Sequence, residues 1–127
     1  TKEALISNLD ISEIPEQHYD ISLINVNSNL DEDSIHKLNQ VIKSLLEERR
    51  YKIIVDMSQV NYINSYAIRI LTKILKDATK AGVEIRFFGI SEYVKDILEL
   101  LNISMPVTIF KSKEEAISDW MGSSSSV

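Results

Sequence analysis

Two side chains in this sequence stand where a phosphoryl group could be placed, Asp56 and Ser65. Asp56 ends the apolar run Ile53-Ile54-Val55, so a carboxylate follows a segment whose consecutive apolar residues suit a strand covered on both faces. Downstream, Asn64-Ser65 opens a stretch in which Ile68, Leu71, Ile74, Leu75 and Ala78 recur at helical spacing. A hydroxyl at a helix N-terminus sits beside unpaired amides and the positive end of the helix dipole, where an added phosphate is tolerated. Either Asn64 or Ser65 can cap this helix, since both residue types are favoured N-caps.

Other chemistries find little support. The three glycines, Gly82, Gly89 and Gly122, are far apart, whereas a Walker loop or dinucleotide fingerprint needs several in one turn. No serine lies in a GxSxG elbow. His18 and His36 are isolated and read as surface residues. The acidic run Asp31-Glu32-Asp33 lacks the alternating oxygen ligands and distal Glu of a calcium loop, and helix N-terminal charge explains it. Without cysteine there is no disulfide and no thiolate metal site, and a cytoplasmic location is the natural expectation. A net charge of −5 argues against a nucleic-acid or anionic-membrane partner, both of which call for a basic face. No stretch has the length of a membrane span, and no signal-peptide pattern opens the chain.

The elements that position these residues alternate. Leu9, Ile11 and Ile14 suggest an edge strand ended by Pro15, and Ile21 to Val26 a second strand, the two pairing antiparallel through a turn near Pro15 to Tyr19. Asp31 to Arg50 reads as a helix with Ile35, Leu38, Val41, Ile42, Leu45 and Leu46 on one stripe, acidic at its start and basic at Arg49-Arg50. Ile53 to Val55, Val83 to Phe88 and Val107 to Phe110 are further strands. Ser65 to Lys80 and Ser91 to Leu101 are helices, and Gly82 closes the first of these in the left-handed conformation. Ser112-Lys113-Glu114-Glu115 has capping-box spacing and starts a last helix reaching about Trp120. The expected fold is one α/β domain over residues 1–121, a mixed, mostly parallel sheet of about five strands with about four helices, mostly on one side. Residues 122–127 read as a Ser-rich disordered tail.

The order Ile53-Ile54-Val55-Asp56-Met57-Ser58-Gln59-Val60-Asn61-Tyr62-Ile63-Asn64-Ser65, with Ser28-Asn29-Leu30-Asp31 upstream, resembles the STAS-domain family of bacterial anti-sigma factor antagonists. The resemblance covers about Ile21 to Trp120. It implies that Ser65 is the phosphoacceptor of a partner switch. The chain departs from the family pattern at Asn64, where an Asp is usual, and at Tyr66, Ala67 and Arg69, where small residues and glycines are usual. An aromatic directly after the serine is similar to the small STAS scaffold proteins of stressosomes, which leaves a scaffold role as the alternative. A STAS-like subunit of a transport system is a further one. A response-regulator receiver would use Asp56 with Lys111, but Val26-Asn27-Ser28-Asn29 carries no acidic pair to hold magnesium.

The resemblance implies a non-enzymatic binding protein with no cofactor of its own. Its partners would be an anti-sigma factor that is also a serine kinase of the histidine-kinase-like ATPase type, and a serine phosphatase. The chain itself is expected to be a monomer or weak homodimer. Strand-to-helix junctions put Asn29, Asp31, Asn64, Ser65, Tyr66, Arg69 and Ser91 at one edge of the layer, the expected partner-binding surface. Tyr66 is its expected aromatic anchor, with packing into the helix start as the alternative. Arg69, four residues after Ser65, is expected to reach a phosphate there. Asp56 is expected to accept hydrogen bonds from its own loop.

Overall fold

The computed structural model describes residues 9–13, 21–101 and 108–118. The expected turn at Pro15 to Tyr19, His18, Pro106, the helix end near Trp120 and the tail 122–127 lie outside them. Among the described residues five strands, β1 (Leu9–Glu13), β2 (Ile21–Val26), β3 (Lys52–Asp56), β4 (Glu84–Phe88) and β5 (Thr108–Phe110), form one sheet in the order β1-β2-β3-β4-β5. β1 pairs antiparallel with β2, and β2 to β5 are parallel to one another. The connecting helices are α1 (Glu32–Glu47), α2 (Ser65–Lys80) and α3 (Glu92–Leu101). A last helix, α4, opens at residue 113 and is described to residue 118. This is the mixed, mostly parallel sheet with about four helices that the alternation of patterns predicts.

Strand alternation divides the core into two layers. Ile24, Val26, Ile53, Val55, Ile85 and Phe87 face the three long helices, whose buried stripes include Leu38, Leu45, Leu71 and Leu98. Ile21, Leu23 and Ile54 point to the opposite face and meet Ala116 and Ile117 of α4. Arg86 lies on that second face and is only 4% exposed. A buried guanidinium needs partners. Its Nε and Nη2 donate to Glu84 Oε2 at 2.9 and 2.7 Å, its Nη1 donates to Ala116 O at 2.7 Å, and it lies over the Phe110 ring. Arg86 thereby ties α4 to β4.

The helix ends show one agreement and one correction. α2 closes as expected: Gly82 has φ 78°, and its amide and that of Val83 donate to Thr79 O and Ala78 O. α1 does not run to Arg50. It ends at Glu47, and Arg49 takes the left-handed φ of 61° so that its amide reaches Leu46 O and that of Arg50 reaches Leu45 O. The same closure satisfies the last carbonyls of both helices, but in α1 a residue with a Cβ performs it. The expected basic last turn is therefore the turn after the helix.

Candidate partner-binding site at the carboxyl edge of the sheet

Each parallel strand runs toward the same edge, so the turns into α1, α2 and α3 gather there. Asp56 ends β3 in register with Asn25, the last residue but one of β2. Beyond them Leu30 and Ile63, both buried, form one further parallel bridge, with Leu30 N donating to Tyr62 O and Asn64 N to Leu30 O at 3.1 Å each. Leu30 and Ile63 thus anchor the two loops side by side.

Asn29 and Asp31 hold this junction from within. Asn29 Oδ1 accepts from the amides of Asn61 (2.8 Å) and Tyr62 (3.1 Å). Asp31 is the N-cap of α1, its Oδ1 accepting from the amides of Asp33 and Ser34. Ser34 Oγ accepts from Asp31 N at 2.9 Å, completing a capping box. Donation by the Ser34 amide, then by its hydroxyl, holds the Asp31 carboxyl below its ordinary value. Both residues lie at the expected edge, and their side chains are engaged in shaping it.

Asn64 caps α2. Its Oδ1 accepts from Ala67 N at 2.8 Å, and its Nδ2 donates to Glu32 Oε1 at 3.0 Å across to α1. With the cap filled by Asn64, Ser65 becomes the first helical residue, exposed, and its hydroxyl has no hydrogen-bond partner among the described residues. The amides of Ser65 and Tyr66 precede the first intrahelical bond, Ile68 N to Asn64 O at 2.9 Å.

Tyr66 is half-buried and packs against the core. Its hydroxyl lies 2.6 Å from His36 Nε2, its ring meets the His36 ring edge-on, and the Arg69 guanidinium sits 5.5 Å from its centroid. Tyr66 is therefore partly a packing residue of the helix start, and Arg69 is laid along its ring, one turn from Ser65. Ser91 caps α3, its Oγ accepting from Val94 N at 3.3 Å.

Asp56 belongs to its loop. Its Oδ1 accepts from the amide of Ser58 at 2.9 Å and from the Ser58 hydroxyl, matching the role expected for it. Gly89, at φ 72°, leaves room for that turn. Asp56 also borders a shallow 400 Å³ cleft with Asn25, Lys111 and Lys113 on the α4 side of the sheet.

Three residues of this edge make contacts that the sequence does not announce. Tyr62 and Tyr93 stack with ring centroids 6.0 Å apart and planes 9° apart. His36, expected to be an isolated surface residue, is exposed but joins Tyr66. The available signal for Tyr62 is an aromatic directly after Asn61 in the loop that joins β3 to α2.

A parallel sheet with an antiparallel first strand, three helices on one face and capped helix starts gathered at one edge defines the class. The chain belongs to the STAS domain family, which it matches over residues 14–116. It is 24% identical over 104 residues to a protein of Thermotoga neapolitana named as an anti-sigma factor antagonist TM1081 homolog, covering 81% of this chain and 92% of that one. The crystal structure of TM1081 from Thermotoga maritima matches with a TM-score of 0.74 at 22% identity, covering 87% of this chain and 92% of that one. The anti-sigma factor antagonist SpoIIAA in its unphosphorylated form matches with a TM-score of 0.67 at 10% identity, covering 89% and 96%. Bacillus SpoIIAA in its phosphorylated form matches with a TM-score of 0.66 at 11% identity, covering 87% and 97%. At these identities the solved structures bear on the fold. Among the described residues no helix is long and apolar enough to cross a membrane.

Proposed function

We propose that this protein is an anti-sigma factor antagonist, a cytoplasmic binding protein that works without catalysis of its own, with Ser65 as its phosphoacceptor. The observation that carries the proposal is the division of labour at the start of α2. Asn64 takes the cap, and the Ser65 hydroxyl stays exposed, with no hydrogen-bond partner among the described residues. A relative named as an antagonist homolog, and an antagonist fold known in both phosphorylation states, support it.

The partner is an anti-sigma factor that is also an ATP-dependent serine kinase, and the ATP and its magnesium are the partner's. The unphosphorylated edge captures it and so frees the sigma factor. Phosphorylation adds about −1.5 to −2 charges at Ser65. Within the domain that charge is accommodated by the first amides of α2 and by Arg69 at i+4. In the packed interface the same group adds bulk and an unpaired desolvated charge, worth several kcal/mol against binding. The fold is unchanged and affinity collapses, until a serine phosphatase removes the phosphate. Asp56 Oδ1 is held by the amide and hydroxyl of Ser58, and the turn after β2 carries no acidic pair for magnesium, which favours Ser65 over Asp56 as the acceptor.

The test is phosphate mapping by mass spectrometry after incubation with kinases of this ATPase type. Phosphate on Ser65, absent from Ser65→Ala, is expected. Phosphate on Ser58 or Tyr66, or an acid-labile adduct lost in Asp56→Asn, would overturn the assignment.

A further inference from the structure

The proposed switch explains how binding is broken but not what the surface grips. Tyr62 comes from the loop before α2 and Tyr93 from the first turn of α3. Their rings lie parallel, yet they remain 52% and 48% exposed. Stacking hides one face of each ring, and about half of each residue's surface stays accessible. Large exposed aromatics held in a fixed geometry are the residue type that anchors interfaces, because few rotamers remain to be frozen on binding.

The charge around the pair has one prevailing sign. Leu30 N and Asn29 Oδ1 bond the backbone of Tyr62, which puts it beside Asp31 and Glu32. Glu92 precedes Tyr93, and Asp96 lies one turn on. All four residues are exposed; Asp31 already caps α1 and Glu32 accepts from Asn64, while Glu92 and Asp96 have no side-chain partner among the described residues. Asp33 is paired with Lys37, Arg69 is laid on Tyr66, and Lys95 is the cation of α3 nearest the pair in sequence. The whole chain carries −5.

We propose that the Tyr62–Tyr93 pair is the anchor of the partner interface and that it receives an arginine side chain of a basic partner protein, laid on an outer ring face between the flanking carboxylates. This rests on the proposal that this edge binds a partner, and adds the chemistry of what it binds. A guanidinium is planar, weakly hydrated and stacks on aromatic faces, while a lysine ammonium is a strongly hydrated point charge. Because the anchor draws cations, loss of binding on phosphorylation of Ser65 follows from bulk and from desolvation of the phosphate, not from the sign of its charge.

The test uses the full chain in two arms. In the first, the protein alone is titrated with acetyl-Gly-Arg-Gly-amide and with its lysine counterpart, and the tyrosine ring resonances are followed by NMR. Shifts confined to Tyr62 and Tyr93, saturating at an arginine concentration about threefold below that of lysine, are expected. Shifts elsewhere, or none, would overturn the proposal. In the second, affinity for the anti-sigma factor is measured for Tyr62→Ala, Tyr93→Ala and the two phenylalanine variants, each first confirmed folded by circular dichroism. The alanine variants should bind at least about tenfold more weakly, and the phenylalanine variants within about twofold of the parent. Alanine variants with full affinity, or phenylalanine variants as weak as alanine, would overturn it. If Ser65→Asp abolishes binding while Tyr62→Ala does not, the anchor fails and the switch stands. If the arginine peptide lands on the rings while Ser65 takes no phosphate, the switch fails and the anchor stands. Self-association abolished by Tyr62→Ala would assign the rings to a second copy of the chain and overturn the arginine assignment.

Discussion

Asn64 stands where an aspartate is usual in the family, and its contacts predict what the exchange would do. Asn64→Asp keeps the oxygen that caps α2 at Ala67 N but removes the amide donor to Glu32 Oε1. The new carboxylate would face that of Glu32 from the same place. Two unit charges at about 4 Å repel by roughly 1 kcal/mol at the dielectric of water and about 4 kcal/mol at that of a protein surface. Glu32 is exposed and free to turn away, so the lower figure applies. The lost exposed hydrogen bond adds up to about 1 kcal/mol, and a carboxylate at the helix N-terminus returns about 0.3–1 kcal/mol. The balance is a loss of about 1 kcal/mol, or about 4 °C in Tm for a domain of this size. Urea unfolding of Asn64→Asp, Glu32→Gln and the double variant at low salt measures it. Glu32→Gln removes the repulsion and restores a donor, so the double variant should recover to within about 0.5 kcal/mol of the parent, a coupling of about 1 kcal/mol. The deficit of the single variant should shrink at high salt. An Asn64→Asp variant as stable as the parent, with no coupling to residue 32, would refute the reasoning that the contact with Glu32 disfavours an aspartate at 64.

Three further outcomes follow from backbone and cap geometry. Arg49→Gly should stabilise the protein by about 0.5–1 kcal/mol in urea unfolding, because its left-handed φ is strained for any residue with a Cβ and its side chain is exposed; destabilisation would show that the arginine side chain matters more than its backbone. Gly89→Ala should cost about 2 kcal/mol or more, since φ is 72° and an added Cβ would come within 3.1 Å of Asp56 Oδ1 and Ser58 N; an unchanged urea midpoint would refute this. Asp31 has a lowered folded pKa, so its contribution is fully present above its ordinary value of 3.8 and is lost as pH falls through the lower folded value. Asp31→Asn should therefore flatten the acid limb of stability below that pH, and an unchanged acid limb would contradict the capping role.

The strands were readable because their burial is written into their composition. Ile53-Ile54-Val55 is apolar without alternation and occupies the centre of a sheet covered on both faces. α2 was readable from its stripe and from Gly82, which supplies the left-handed closure. The end of α1 was not, because Arg49 performs that closure without a glycine, and Arg49-Arg50 read equally well as a basic last turn. At the edge, position was legible and commitment was not. Asn29 and Asp31 were placed correctly in the turn, but their bonds to the Asn61-Tyr62 amides and to Ser34 depend on how two loops meet. Tyr62 with Tyr93, and His36 with Tyr66, pair across different elements, and periodicity within one element carries no trace of such contacts.

The most direct measurement is the affinity of the anti-sigma factor for this protein in its unphosphorylated and Ser65-phosphorylated forms, by calorimetry, beside Ser65→Ala and Ser65→Asp. A desolvated, unpaired charge worth several kcal/mol corresponds to at least about a hundredfold loss of affinity on phosphorylation. Ser65→Ala should bind like the unphosphorylated form and Ser65→Asp poorly. Equal affinity across all four proteins would contradict the switch and leave Ser65 an ordinary first residue of α2.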